Sequence, residues 1–303
     1  MKQVLLLVLL MSCASEMSER TKKMKEEYMR LWDYSNPEKT RKAFLNYKDT
    51  SSSDEELALK TQIARTYSLQ AKFSEAHQIL DEIQPQLAKT NSIVKTRYQL
   101  ERGRTFNSAG EKEKATLEFE KAFKTGTEAR LDVLAIDAIH MLAIAASKLE
   151  KKLEWTQVGI ETAKNSEVEE ARKWIGVFHN NKGWDLFDSQ NYPEALVEFE
   201  ACADFYQKMG AKERHDIALW SKAKTLRMLG KIDESFAIQN KLLDQNNGED
   251  PSGYTFEELG ELYALKQDKD QARYFFKKAY AILSKDTWLL RNESKRLERL
   301  KNF

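Results

Sequence analysis

The chain has 303 residues, 32% of them charged and 41% hydrophobic, with 49 Lys and Arg against 48 Asp and Glu. Such a balance gives no sequence-independent attraction to nucleic acid or to an anionic bilayer. Only four prolines interrupt it, and charges of both signs throughout suit the exposed faces of helices.

In chain order, MKQVLLLVLLMSC comes first, with one Lys and an apolar run from Val4 to Met11. A bilayer-spanning helix takes about 20 apolar residues, so this run is too short to be one. It follows the layout of a secretory signal over residues 1–12. Leu10-Met11-Ser12-Cys13 resembles a bacterial lipobox, although Met11 is larger than the residue usual there. The resemblance implies cleavage before Cys13, its lipidation by groups such as palmitate, and, with Ala14 next, an outer-membrane anchor facing the periplasm. A Sec signal cut elsewhere and a misassigned start are the alternatives. Acylation of Cys13 would leave Cys202 with no intramolecular disulfide, and Cys202 reads as a small buried thiol.

Residues 13–50 read as a tether and a degenerate capping hairpin, with Asn36-Pro37 as an N-cap and first turn. Asp49 to Asp54 is a linker, and Ser53 with Glu56 forms a capping box. Turns follow at Ala109-Gly110 and Lys124-Thr125-Gly126, and the breaker-rich Gln245 to Gly253 stretch predicts a flexible joint. Residues 285–303 fit a C-terminal capping helix with a polar outer face. Its basic residues, Arg296 and Arg299 among them, could instead dock on acidic lipid or protein.

Between these ends a pattern recurs. In residues 256–279, Phe256, Leu259, Gly260 and Tyr263 share one helical face, and Ala272, Phe276 and Ala279 share another. The opening residue of the second helix recurs as Ala76, Ala115, Trp155, Ala195, Ser235 and Ala272. The small residue of the first helix keeps step: Ala64, Gly103, Ala143, Gly183, Ala223, Gly260. The second-helix aromatic or apolar position reads Leu80, Phe119, Gly159, Phe199, Gln239, Phe276. Registers agreeing over residues 51–284, with repeats starting near residues 57, 96, 136, 176, 216 and 253, resemble the tetratricopeptide repeat. That family's usual period is about 34 residues; the longer step here predicts lengthened helices rather than an added element. The resemblance implies an all-α fold, a right-handed superhelical solenoid of about six helix–turn–helix repeats closed by terminal capping helices. One continuous array, rather than two domains, is the expectation.

No motif for phosphate, dinucleotide, zinc or redox chemistry is present, and His77, His140, His179 and His215 are scattered without ligand spacing. The chain therefore reads as a non-enzyme without cofactor or metal. A solenoid offers a groove lined by its first helices, at positions three before, one after and four after each small residue. Those positions include Arg65, Ser68, Leu100, Arg104, His140, Asn180, Trp184, Phe187, Trp220, Lys224 and Arg227, then Glu257 and Glu261 in the last repeat. The expected ligand is a protein or peptide, with Trp184, Phe187 and Trp220 for apolar contact and Arg65, Arg104, Lys224 and Arg227 for its carboxylates. The opposing reading packs the aromatics between repeats and leaves the cations solvated. Relatives that bind chaperone tails use a Lys-and-Asn clamp; Thr61 and Arg65 stand at those positions, so that clamp is not implied. Two functions remain open: a lipid-anchored envelope scaffold assisting assembly of a complex, and a soluble peptide-responsive regulator.

Overall fold

A computed structural model describes residues 26–245 and 252–303. Residues 1–12, Cys13, the tether up to residue 25 and the 246–251 part of the expected joint lie outside the described residues. Among the described residues every regular element is helical.

The chain divides into two compact units at the Ala146–Ser147 bond. In the first, a 3₁₀ turn (Glu27–Leu31) precedes α1 (Pro37–Asn46), α2 (Ser53–Ser68) and α3 (Phe73–Ile83). A second 3₁₀ turn (Gln84–Lys89), α4 (Ser92–Ser108), α5 (Lys112–Glu128) and α6 (Asp132–Ala145) complete it. The second unit begins with α7 (Leu149–Asn165), α8 (Glu169–Arg172), α9 (Trp174–Asp188) and α10 (Tyr192–Lys208). It continues with α11 (Lys212–Met228), α12 (Ile232–Gln245), α13 (Tyr254–Leu265), α14 (Lys269–Leu283), α15 (Thr287–Asn292) and α16 (Ser294–Asn302). Helical hairpins α2/α3 and α4/α5 pack in the first unit, and α9/α10, α11/α12 and α13/α14 in the second.

The turns explain the regularity. Ala71, Gly110, Arg130, Gln190, Gly210, Gly230 and Gln267 all take positive φ just past a helix end. In each turn the next N–H reaches back five residues, as Lys72 to the Tyr67 carbonyl (3.0 Å) and Asp268 to that of Tyr263 (3.0 Å). This is the left-handed cap that satisfies the last free carbonyls of a helix. The structure moves the Lys124–Gly126 turn: Gly126 is still helical, close against Ala135, and Arg130 makes the bend.

Size is exchanged between facing helices. A Cβ at Gly103, Gly183 or Gly260 would lie 2.5–2.6 Å from the ring of Phe119, Phe199 or Phe276 respectively. Glycine there lets each ring approach the facing backbone closely, and all three rings are buried. Where the first helix carries Ala64 or Ala223, the second carries Leu80 or Gln239 in place of the ring.

The third predicted pair breaks both rules, and it is where the chain divides into its two units. Ala146 ends α6 in an extended conformation (φ −61, ψ 131) rather than a left-handed cap. α6 packs on α5 within the first unit, while α7 packs on α9 within the second. There Gly159 of α7 receives Phe178 from α9, so the small residue has moved to the other helix.

Other expectations shift by smaller steps. Helices of 17 residues (α4, α5, α7, α10, α11) lengthen the period as expected. The 3₁₀ turn at Gln84–Lys89 and α8 are added elements that the sequence reading did not include. Asn36 caps α1 through the Lys39 N–H, with Pro37 in the first turn as expected. The cap of α2 is Ser52, one residue before the predicted Ser53, and Glu55 reaches back to Ser51. The C-terminal closure is two short helices, whose Leu289, Leu297 and Leu300 join the core of α13 and α14. Cys202 is a buried free thiol, its Sγ 3.4 Å from the Gly176 carbonyl, and burial pushes its pKa up to about 12.

Candidate functional site

On each first helix, positions six and two before the small residue and one after it fall on one stripe, because three and seven residues are close to whole turns. The two units fill this stripe differently.

In the first unit the stripe is a network of charges. Glu101 on α4, 1% exposed, accepts from Arg104 (2.7 Å), from Gln62 of α2 (3.3 Å) and from Arg65 of α2 (3.4 Å). Arg104 also donates to Asp137 of α6 (2.5 Å). Burial opposes charge on Arg104, but Asp137 and Glu101 outweigh it and raise its pKa. Burial likewise works against the Asp137 carboxylate, and Arg104 and Arg65 more than reverse that, leaving its pKa lowered. His140, on the same face of α6, has its pKa lowered by burial, with Asp137 pulling the other way and Arg104 assisting. The Arg65 guanidinium lies over the rings of Trp32 (5.6 Å) and Tyr34 (5.4 Å).

In the second unit the stripe is aromatic. Trp184 of α9 contacts Phe187 (5.2 Å between centroids), Phe199 of α10 (5.2 Å) and Trp220 of α11 (5.9 Å). Trp220 meets Tyr254 of α13 (5.6 Å) and donates its indole N–H to the Tyr254 carbonyl (3.1 Å). All of these but Phe199 are partly buried, leaving edges open along the stripe. Lys224 lies 5.2 Å above the Trp220 ring and, with Arg227, holds Glu258 of α13 at 2.8 and 2.7 Å. Glu258 is 1% exposed; burial alone would raise its pKa, and the two cations instead lower it.

The structure thus brings Arg65, Arg104 and His140 together in one unit and Trp184, Phe187, Trp220, Lys224 and Arg227 in the other. Asn180 bonds its neighbour Asn181 (3.3 Å) and joins neither group. Ser68 and Leu100, placed in the groove by the sequence reading, are 6% and 1% exposed. The cations expected to meet a ligand's carboxylates meet the chain's own. Glu101 and Glu258 each stand two residues before the small glycine of their helix, a position that the groove spacing read from sequence does not include. Likewise Glu257 and Glu261 are held by Arg296 and Arg299 of α16, which commits those two basic residues to the closure. Among the described residues no group of three or more His, Cys, Asp or Glu is placed to hold a metal ion. No described helix is long and apolar enough to cross a membrane.

Hairpins in this register, with left-handed caps and a small residue facing a ring, define the fold of a tetratricopeptide-repeat protein. No protein-family model matches the chain, and no curated protein matches its sequence. Solved structures do. The apo form of RapI is similar over 90% of this chain and 77% of its own, at 13% identity and a TM-score of 0.66. A signal-transduction ATPase with a tetratricopeptide-repeat sensor from Pyrococcus horikoshii is similar over 87% of this chain, at 13% identity and a TM-score of 0.67. The match spans 41% of that protein's length. A tetratricopeptide-repeat protein from Parabacteroides merdae matches over 92% of this chain at 17% identity and a TM-score of 0.51. At these identities the fold is what is shared.

Proposed function

We propose that the protein is a non-catalytic binding module that takes a polypeptide partner on its first-helix stripes. The observation that carries this reading is the aromatic row Phe187–Trp184–Trp220–Tyr254, which crosses three successive first helices with its edges open. Partly buried Trp and Tyr held rigid by neighbours supply apolar area at little entropic cost, the usual make-up of an interaction hot spot. The test is affinity capture from membranes with Trp220→Ala, alongside Trp184→Ala. Capture of a partner by the parent chain should fall at least tenfold with Trp220→Ala while the circular dichroism spectrum is unchanged. Unaltered recovery would sink the proposal.

The finer reading is a lipid-anchored scaffold of the bacterial envelope, in the outer membrane and facing the periplasm, assisting assembly of an envelope complex. It is supported by the signal-like residues 1–12 and the lipobox-like Leu10–Cys13. Metabolic labelling with a palmitate analogue, lost on Cys13→Ala, is the expected result. An unprocessed Met1 on cytosolic protein would favour the soluble regulator instead. The likeness to a protein whose repeats are described as a sensor supports that second reading.

A further inference from the structure

The chain's own N-terminal segment lies on the stripe of the first unit. Arg97 of α4 stands six residues before Gly103 and shares the face of Glu101 and Arg104. Its Nε and Nη2 donate to the two carboxylate oxygens of Glu26. At the other end of the segment, the Trp32 indole donates to Gln62 of α2 (3.3 Å). Trp32 and Tyr34 stack on each other (4.7 Å, 6° between planes) beneath Arg65 of α2. Residues 26–34 therefore reach across α2 as far as α4. A simple end-cap packing on the first hairpin would touch α2 and leave α4 alone.

The polar side chains beneath are incompletely matched. Among the described residues, Oε2 of Glu101 and Nε of Arg65 are buried with no hydrogen-bond partner. Buried polar atoms in native proteins are nearly always paired, and exceptions call for a cause. A face shaped for a different occupant would leave such atoms unmatched under a substitute.

We infer that residues 26–34 act as an internal stand-in ligand, and that the first unit binds a partner peptide of the same chemistry. That peptide carries a carboxylate for Arg97 and, about six residues on, aromatic rings for Arg65. The inference rests on reading the stripes as binding faces. Charge-assisted, two-point Arg–carboxylate contacts and Arg–aromatic stacking give the site its selectivity. Binding of the partner displaces the segment, whose only deeply buried anchor is Tyr28, packed with Phe44, Leu59 and Ile63. An intramolecular occupant lowers the apparent affinity for the partner by the fraction of chains that are open.

The test uses the full chain with Glu26→Arg and Trp32→Ala together, which sets like charge beside Arg97 and removes the indole. A synthetic peptide of residues 26–36 is titrated into this variant and into the parent chain by calorimetry, with amide exchange measured on both. In the variant, residues 26–34 should exchange freely while α2 and α4 remain protected. The peptide should bind it at least tenfold more tightly than the parent, and a peptide carrying the same two substitutions should not bind. Equal affinity for both chains, or no binding by an open variant, overturns the inference. So does protection that persists over residues 26–34, or that is lost throughout α2 and α4, since either makes the segment part of the core. A dimer that exchanges the segment between copies would overturn it in favour of self-association. Loss of partner capture by Trp220→Ala in the second unit stands or falls independently of these results.

Discussion

The two units share a hairpin geometry but face it with opposite materials. The first unit presents Arg65, Glu101, Arg104 and Asp137 linked across three first helices. The second presents Trp184, Trp220 and Tyr254 across three first helices, with its ion cluster set at one end. A charged stripe costs desolvation when covered, so it discriminates among partners more than it attracts them. An aromatic stripe gains from being covered and supplies affinity with little discrimination. One repeat geometry thus holds two kinds of surface, because the residues that fix the hairpin are not those that line the stripe.

The largest expected effect tests how deeply each ion cluster is built in. Glu258→Ala leaves Lys224 and Arg227 together with no carboxylate between them, and should destabilise the second unit by about 2–4 kcal/mol. Glu101→Ala should cost clearly less, since Arg104 keeps Asp137 and Arg65 keeps its aromatic stack. Amide exchange read separately in each unit measures both, and equal losses would erase the contrast. A smaller effect of opposite sign belongs to the second unit. Gln239 is 0% exposed, and both polar atoms of its amide are without a partner among the described residues. Gln239→Leu copies the pairing of Ala64 with Leu80 and should stabilise by about 1–2 kcal/mol in urea unfolding.

The smallest effect is a response to acid that begins in the first unit, where burial lowers the pKa of both His140 and His77, Arg102 assisting at His77. The folded pKa of His140 is lowered, first by burial, so the unfolded chain binds more protons. Stability contributed by neutral His140 is complete above its ordinary value near 6.5. It declines as pH falls below that value toward the lowered folded pKa. Asp137 and Glu258, whose pKa values are also lowered, lose their contribution only further down, as pH falls through their folded values below the usual carboxylate range. Amide exchange at pH 7.5 and 5.5 should show the first unit weakening, and His140→Gln with His77→Gln should remove that change. A change confined to the second unit would contradict it.

The hairpins were legible in sequence because their determinants are local. Gly260 opposite Phe276 and Gly103 opposite Phe119 repeat at a fixed offset, and each pair is needed for backbone contact. The division after Ala146 also left a trace: Trp155 and Gly159 depart together from the residues that recur at their positions elsewhere. Its meaning was hidden, since loss of a lock in one repeat does not say which neighbour each helix will choose. The aromatic row was half visible, as Trp184 and Trp220 occupy stripe positions, whereas Tyr254 enters from the first turn of α13. Ion pairing was the least legible part. Arg65 and Arg227 find their carboxylates 36 and 31 residues away, on the next first helix, at a position two before the glycine. Nothing within either helix alone marks those acids as partners.

The exchange of bulk between facing helices has a consequence for how such a chain can diverge. Gly183 and Phe199 behave as one heritable character, because enlarging the first without shrinking the second forces a methyl group into a ring. Ala64 with Leu80 shows the other allowed setting of the same character. Lineages of this array would therefore step between settings through coupled substitutions, one hairpin at a time, while their outward surfaces drift freely.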